Sequence, residues 1–173
     1  MDALVSLFHR VRYRYMKPGE EDRVIRLIVE VFKNNIAPRY SPEGVNEFLR
    51  YARSDDLLKR SLSDHFILVA QAGGDIVAMI EIKKYHHISL FFVAGPYQRK
   101  GIGKTLLKRA MKICRDRDPW LREISVNASP NAVGAYSQMG FTSRGPERTV
   151  KGIRFFPMTA ALRKSSFFSS SPA

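Results

Sequence analysis

The chain has 173 residues, 45% of them hydrophobic, and a formal net charge of +13. That is enough apolar material for one core and too little length for two ordinary domains. No apolar run nears the roughly 18 residues that span a bilayer, and a single cysteine, Cys114, excludes an internal disulfide.

Residues 1–10 are partly apolar (Leu4, Val5, Leu7, Phe8), yet Asp2 stands where a secretory leader carries lysine or arginine, so a signal peptide is not expected. Val11–Lys17 alternates Val11, Tyr13 and Tyr15 with Arg12 and Arg14, the period of a strand, and Pro18-Gly19 ends it. Glu20-Glu21-Asp22 puts acids at a helix start, with an apolar face of Val24, Ile25, Leu27, Ile28, Val31 and Phe32 behind them. A second helix opens at Ser41-Pro42-Glu43, with a serine cap and a proline in its first turn, and runs through Val45, Phe48, Leu49 and Ala52. Phe66–Ala70 and Ile76–Ile82 predict a hairpin about Gly73-Gly74-Asp75, and His87–Val93 the next strand. Ile102, Leu106, Leu107, Ala110, Ile113 and Cys114 share one helix face, opposite Lys104, Lys108, Lys112 and Arg115. On that face Cys114 reads as a small hydrophobe. Trp120, after Asp118-Pro119, reads as a packing residue at a turn. Glu123–Asn127 is a strand, then comes a short helix capped by Ser129, with Pro130 at its start. A closing pair lies near Phe141–Arg148 and Ile153–Thr159. Serine-rich 164–173 is a loose tail. The order β-α-α-β-β-β-α-β-α-β-β describes one α/β (α+β) domain over residues 11–163.

The most informative segment joins the strand His87–Val93 to the basic helix: Gln98-Arg99-Lys100-Gly101-Ile102-Gly103-Lys104. A strand feeding a glycine-interrupted basic turn and then a helix makes an anion site from backbone amides and the helix dipole. The glycines keep side chains from holding a phosphate away. A P-loop would need G-x-x-x-x-G-K-[ST]; Gly103-Lys104-Thr105 supplies its tail, but Gln98 occupies the first glycine position. In a dinucleotide fingerprint, Leu106 stands where the third glycine belongs.

The pattern Q/R-x-x-G-x-G/A fits at every fixed position, and it resembles the pyrophosphate loop of the GCN5-related N-acetyltransferases (GNAT). Val93-Ala94-Gly95-Pro96-Tyr97 is similar to that family's lead-in, with the proline one place late. Ala132-Val133-Gly134-Ala135-Tyr136-Ser137-Gln138-Met139-Gly140-Phe141 resembles its second signature, A-x-x-x-Y-x-x-x-G-F. The asparagine often found three places before that alanine is Ser129 here, with Asn127 and Asn131 nearby. The resemblance implies the acyl-CoA N-acyltransferase fold: a mixed, mostly antiparallel sheet with a parallel splayed pair and flanking helices. It implies acetyl-CoA as co-substrate, its thioester arm pairing with Phe91, Phe92 and Val93. Its diphosphate would lie on Gln98, Arg99, Lys100, Gly101, Ile102, Gly103, Lys104 and Thr105, with Asn131 as a further contact.

Acetyl transfer to an amine also needs acid–base groups. An alkylamine has a pKa near 10.4 and must lose a proton before it attacks. The resemblance makes Tyr136 the acid that protonates the departing thiolate, against the ordinary reading of a packed aromatic, and the Val93 amide the oxyanion donor. For the base, His87 lies on the stripe His87, Ser89, Phe91, Val93 and falls where one branch of the family carries a glutamate. Its rival Glu81 interrupts the stripe Val77, Met79, Glu81; it orders a water or is simply a solvated carboxylate. Phe32, Asn34, Asn35, Arg39 and Tyr40, with Arg148 and Lys151 across from them, are expected acceptor walls.

Residues 96–173 carry 15 basic and 4 acidic side chains, nearly all of the excess charge. A phosphate-rich co-substrate accounts for it. A nucleic-acid partner is not expected, since no base-reading module is visible. Histidines 9, 65, 86 and 87 lack metal-ligand spacing, so no metal is expected. The expectation is a cytoplasmic acetyl-CoA-dependent N-acetyltransferase acting on a primary amine. It has no membrane partner, and its acceptor and a homodimer stay open. The alternative is a non-catalytic module of the same fold that senses CoA esters or docks on nucleic acid.

Overall fold

The computed structural model describes residues 10–162, so the N-terminal segment apart from Arg10, and the tail from 163 on, lie outside the described residues. Eight strands, β1 (Arg12–Tyr15), β2 (His65–Ala72), β3 (Asp75–Lys83), β4 (His87–Val93), β5 (Glu123–Ala128), β6 (Thr142–Ser143), β7 (Arg148–Val150) and β8 (Ile153–Ala161), form one sheet. Five helices flank it: α1 (Glu21–Asn35), α2 (Pro42–Tyr51), α3 (Ser54–Ser61), α4 (Ile102–Arg117) and α5 (Val133–Gln138). The strand order is β1-β2-β3-β4-β5-β8-β6, with β7 also paired to β8. Every pairing is antiparallel except β4 with β5. This is the mixed, mostly antiparallel α/β sheet expected.

Helices cover both faces of the sheet. On one side Ile102, Leu106, Leu107, Ala110 and Cys114 of α4 bury against Ile80, Ile82, Ile88, Ile124, Val126 and Met158. On the other, Val24, Leu27, Ile28, Val31 and Phe32 of α1 and Leu57 of α3 bury against Ile67, Val69, Met79, Leu90 and Phe92. The helical apolar stripes of the sequence are therefore the inward faces, and burial of those side chains is the main stabilising term. Among the described residues no helix is long and apolar enough to cross a membrane.

Local chemistry explains most boundaries. Ser41 Oγ accepts from the Gly44 amide at 3.2 Å and caps α2. Gly73 and Gly74 both take positive φ, +57° and +94°, closing the β2–β3 hairpin. Helix α3 was not expected; Asp55 and Asp56 favour its first turn and Leu57 anchors it. The expected closing strand 141–148 is instead two short strands, because Gly145-Pro146 interrupts the pairing with β8. Ser129 makes no side-chain cap bond, and the helix after it begins with a 3-10 turn, Pro130–Ala132. Trp120 stands 81% exposed; its amide donates to Asp118 Oδ1 at 3.0 Å, so the aspartate helps hold the turn.

Candidate active site

The site is organised by a failure of pairing. Strands β4 and β5 are in register only at His87↔Ser125 and Ile88↔Val126. Beyond those rungs they part, leaving a gap between Ser89–Val93 and Asn127–Ala128. Ser89 is an extra residue against β3, where Ile82 faces Ile88 and Glu81 faces Leu90. Such a bulge bends a strand and reverses which face its side chains take. Accordingly Ile88 belongs to the α4-side core while Leu90 and Phe92 belong to the α1-side core. The stripe His87, Ser89, Phe91, Val93 expected from simple alternation is thus broken. His87 lies on the α1 side, and Phe91 and Val93 on the α4 side.

At the far end of the gap the Ala94 amide donates to Val77 O at 2.9 Å. Alternation along an antiparallel strand then turns the amides of Phe91 and Val93 toward the gap. The Val93 carbonyl accepts from Gln98 Nε2 at 2.8 Å, which pins the following turn to the strand end. Arg99 and Gly101 take left-handed φ of +59° and +78°. The first amide to find a helical acceptor is that of Thr105, on Gly101 O at 3.0 Å. Between Arg99 and Lys104 no amide donates to a described residue, so a row of free N–H groups rims the gap at the positive end of α4. The two glycines do different work. A Cβ on Gly101 would meet nothing within 4 Å, and its constraint is its φ; a Cβ on Gly103 would approach Val93 Cγ2 at 3.3 Å and Phe91 Cζ at 3.4 Å. Gly103 lets α4 approach the end of β4 closely.

Gap and turn open into a cleft of about 1350 Å³ lined by residues of α1, α2, β4, β5, α4, α5 and the β7–β8 turn. Tyr136 lines it and is only 7% exposed, its ring 6.2 Å from Phe91 and 5.2 Å from Phe141. Its hydroxyl bonds to no described residue, and burial raises its pKa above the ordinary 10. Asn131 reaches from the start of α5 to the Asn35 carbonyl at 3.3 Å, joining the end of α1 to the cleft wall.

His87 also lines the cleft. Its Nδ1 lies 2.8 Å from Ser125 Oγ, and that hydroxyl is 3.4 Å from the His86 carbonyl. If the hydroxyl donates to the carbonyl, it accepts from Nδ1–H, which leaves Nε2 as the basic nitrogen. Burial, then the positive neighbours His86, Lys83 and His65, hold the His87 pKa below 6.5. Ser125 escaped notice in the sequence because only the β4–β5 register brings it to the histidine.

Glu81 is placed differently from either expectation. It is fully buried and outside the cleft lining. Arg60 holds it with two bonds, Nε to Oε1 at 2.7 Å and Nη2 to Oε2 at 3.3 Å. Arg60 also stacks on Tyr51, 3.9 Å from the ring centroid, and donates to the Tyr51 carbonyl at 3.1 Å. Glu81 thus anchors the end of α2 and the body of α3 to the sheet. Of the expected acceptor walls, Asn34, Asn35, Arg39, Tyr40 and Lys151 line the cleft, joined by Phe48, Tyr51, Lys83 and Phe155. Phe32 is instead fully buried, stacked on Phe48 at 3.8 Å, and Arg148, on the exposed β7, is not among the cleft-lining residues. The β7–β8 turn is held against α2 by close backbone contact, since a Cβ on Gly44 would sit 2.2 Å from Gly152 O.

Cys114 is fully buried, with its thiol pushed up to about 12 by burial, and has no part in the cleft. Among the described residues no cluster of three histidine, cysteine, aspartate or glutamate side chains could hold a metal.

Known proteins with this pattern agree with the geometry. The family model for the acetyltransferase (GNAT) domain matches residues 36–162. The uncharacterized N-acetyltransferase YafP of Escherichia coli is 23% identical over 140 residues, covering 81% of this chain and 87% of that protein. A GCN5-related N-acetyltransferase from Rhodopseudomonas palustris superimposes with a TM-score of 0.75 at 20% identity, over 87% of this chain and 94% of that one. The PaiA N-acetyltransferase of Thermoplasma acidophilum, solved in complex with coenzyme A, gives a TM-score of 0.73 at 26% identity, over 87% and 98% of the two chains.

Proposed function

The chain belongs to the GNAT acetyltransferase family, and from that premise we propose that it moves the acetyl group of acetyl-CoA directly onto a primary amine. One observation carries the reading: a row of unpartnered amides, Arg99 to Lys104, rims a gap where β4 and β5 separate. Anions bind helix N-termini presented this way, and the free strand edge suits an extended amide-bearing arm. The PaiA relative with coenzyme A in its crystal supports the same occupant here.

In this reading the amides of Arg99–Lys104 hold the diphosphate, with Arg99, Lys100 and Lys104 adding charge. Phe91, Phe92 and Val93 align the pantetheine arm, and the Val93 amide stabilises the oxyanion on the thioester carbonyl. The proton that the amine sheds as its nitrogen bonds to the carbonyl carbon passes through cleft water to His87 Nε2, because that histidine and Val93 stand at opposite ends of β4. Ser125 is a positioning residue that keeps Nδ1 protonated and Nε2 free. As the carbon–sulfur bond breaks, the Tyr136 hydroxyl, with no other partner, gives its proton to the thiolate. Its raised pKa keeps that proton in place until the thiolate forms. Glu81 supports this chemistry only by anchoring α2 and α3. The lone buried cysteine fits a reducing cytoplasm.

Thiol release from acetyl-CoA, followed across a panel of amines, tests the proposal. Acceptor-dependent CoA appearance is expected. Saturable CoA binding without acceptor-dependent turnover would instead identify a sensing module.

A further inference from the structure

The half of the cleft away from the amide turn has a charge pattern that bears on the acceptor. Its walls carry three cations, Arg39, Lys83 and Lys151, against one carboxylate, Glu47. That carboxylate is already taken: Lys151 Nζ lies 3.4 Å from Oε1 and Arg50 Nη1 3.0 Å from Oε2. The side chains of Arg39 and Lys83 form no ion pair or hydrogen bond with any described residue. The wall here also carries the aromatic side chains of Phe48, Tyr51 and Phe155. A second ammonium on the acceptor would meet two uncompensated cations and no free acid.

Lys83 faces His87 across the β3–β4 pair, so their side chains leave the same face of the sheet about 5 Å apart at Cβ. A group held by the Lys83 ammonium therefore sits beside His87, at the end of β4 away from Val93.

We infer that the acceptor is an aminocarboxylate, an amino acid or short peptide whose carboxylate is held by one of the two uncompensated cations of the cleft wall, Lys83 or Arg39. This rests on the catalytic reading of the cleft. Charge-assisted bonds from lysine and arginine to a carboxylate are the strong class of polar contact, and the aromatic walls accept an apolar side chain. Placing a carboxylate against Lys83 also offsets a positive neighbour of His87, which favours proton uptake by the imidazole.

The test compares amino acids with their carboxamides and with a diamine, under saturating acetyl-CoA. The carboxylate members are expected to exceed their amides by tenfold or more in kcat/KM, with the diamine weakest. Lys83→Met or Arg39→Met, whichever removes the carboxylate's partner, should reduce that ratio through the acceptor KM, leaving CoA affinity unchanged. Amides or the diamine used as well as the carboxylates, or a ratio untouched by both substitutions, would overturn the inference. If no amine is turned over, the catalytic reading fails separately. Titrating CoA-loaded protein with an N-acetyl amino acid and its amide then decides: preferential carboxylate binding sustains the inference, and equal or absent binding ends it.

Discussion

Replacing Tyr136 by phenylalanine removes a single oxygen, and the structure predicts a large effect on activity with little on stability. The ring is fixed between Phe91 and Phe141 and 7% exposed, so the shape of the cleft survives. A positioned general acid contributes about 10²- to 10⁴-fold to a rate, so the barrier should rise by about 3–5 kcal/mol. The hydroxyl bonds to no described residue, so deleting it forfeits no protein hydrogen bond. That oxygen keeps solvent contact through the cleft, so removing it should change stability by no more than about 1 kcal/mol, or about 2–4 °C in Tm for a chain of this size. Steady-state CoA release, a thermal melt and CoA titration together read the variant. Turnover should fall at least a hundredfold while CoA affinity holds within twofold and Tm stays within that range. Turnover within threefold of the parent, or a Tm outside it, would refute the reasoning.

His87 governs the acidic limb of the pH profile. Its pKa is lowered from 6.5, so kcat at saturating acceptor should stay level from neutral pH down past 6.5 and drop only below that; His87→Ala abolishes the limb, whereas Ser125→Ala keeps a limb but lowers kcat. The same shift sets a stability sign: His87 takes its proton more readily unfolded than folded, so acidification through 6.5 weakens the fold, and His87→Ala should lessen that loss in melts at pH 5 and 7. Gly101→Ala forces a side chain to a φ of +78° without a clash; the strain, about 1–2 kcal/mol, should weaken CoA binding about tenfold by titration. Arg60→Met leaves the buried Glu81 carboxylate facing only His65 Nε2, 3.9 Å away, so urea unfolding should show a loss of up to about 3–5 kcal/mol, largely recovered by adding Glu81→Gln.

How much could be read beforehand depended on whether a feature is local. The amide turn, the strand His87–Val93 and the apolar face of α4 are written in consecutive residues, and the structure has them where the spacing put them. The Ser41 cap and the Gly73-Gly74 hairpin were legible for the same reason. Features set by partners were not. The extra residue at Ser89 exists only relative to β3, and it moved His87 to the opposite face from Phe91. Ser125 looked like any outward strand residue until the register set it against His87. Glu81 resembled a lone polar interruption because its partner, Arg60, comes from a helix 21 residues earlier. Arg148 and Lys151 are near in sequence, yet only Lys151 reaches the cleft, because the turn at Gly152 folds back on Gly44.

The most direct measurement is titration calorimetry with coenzyme A, pantetheine and a Gly101→Asp variant at low ionic strength. Coenzyme A should bind saturably, more weakly as salt is added, with pantetheine, which lacks the diphosphate, binding far more weakly. The variant, which sets a carboxylate among the free amides, should show almost no heat. Equal affinity for coenzyme A and pantetheine, or a variant that titrates like the parent, would contradict the assignment of the amides from Arg99 to Lys104.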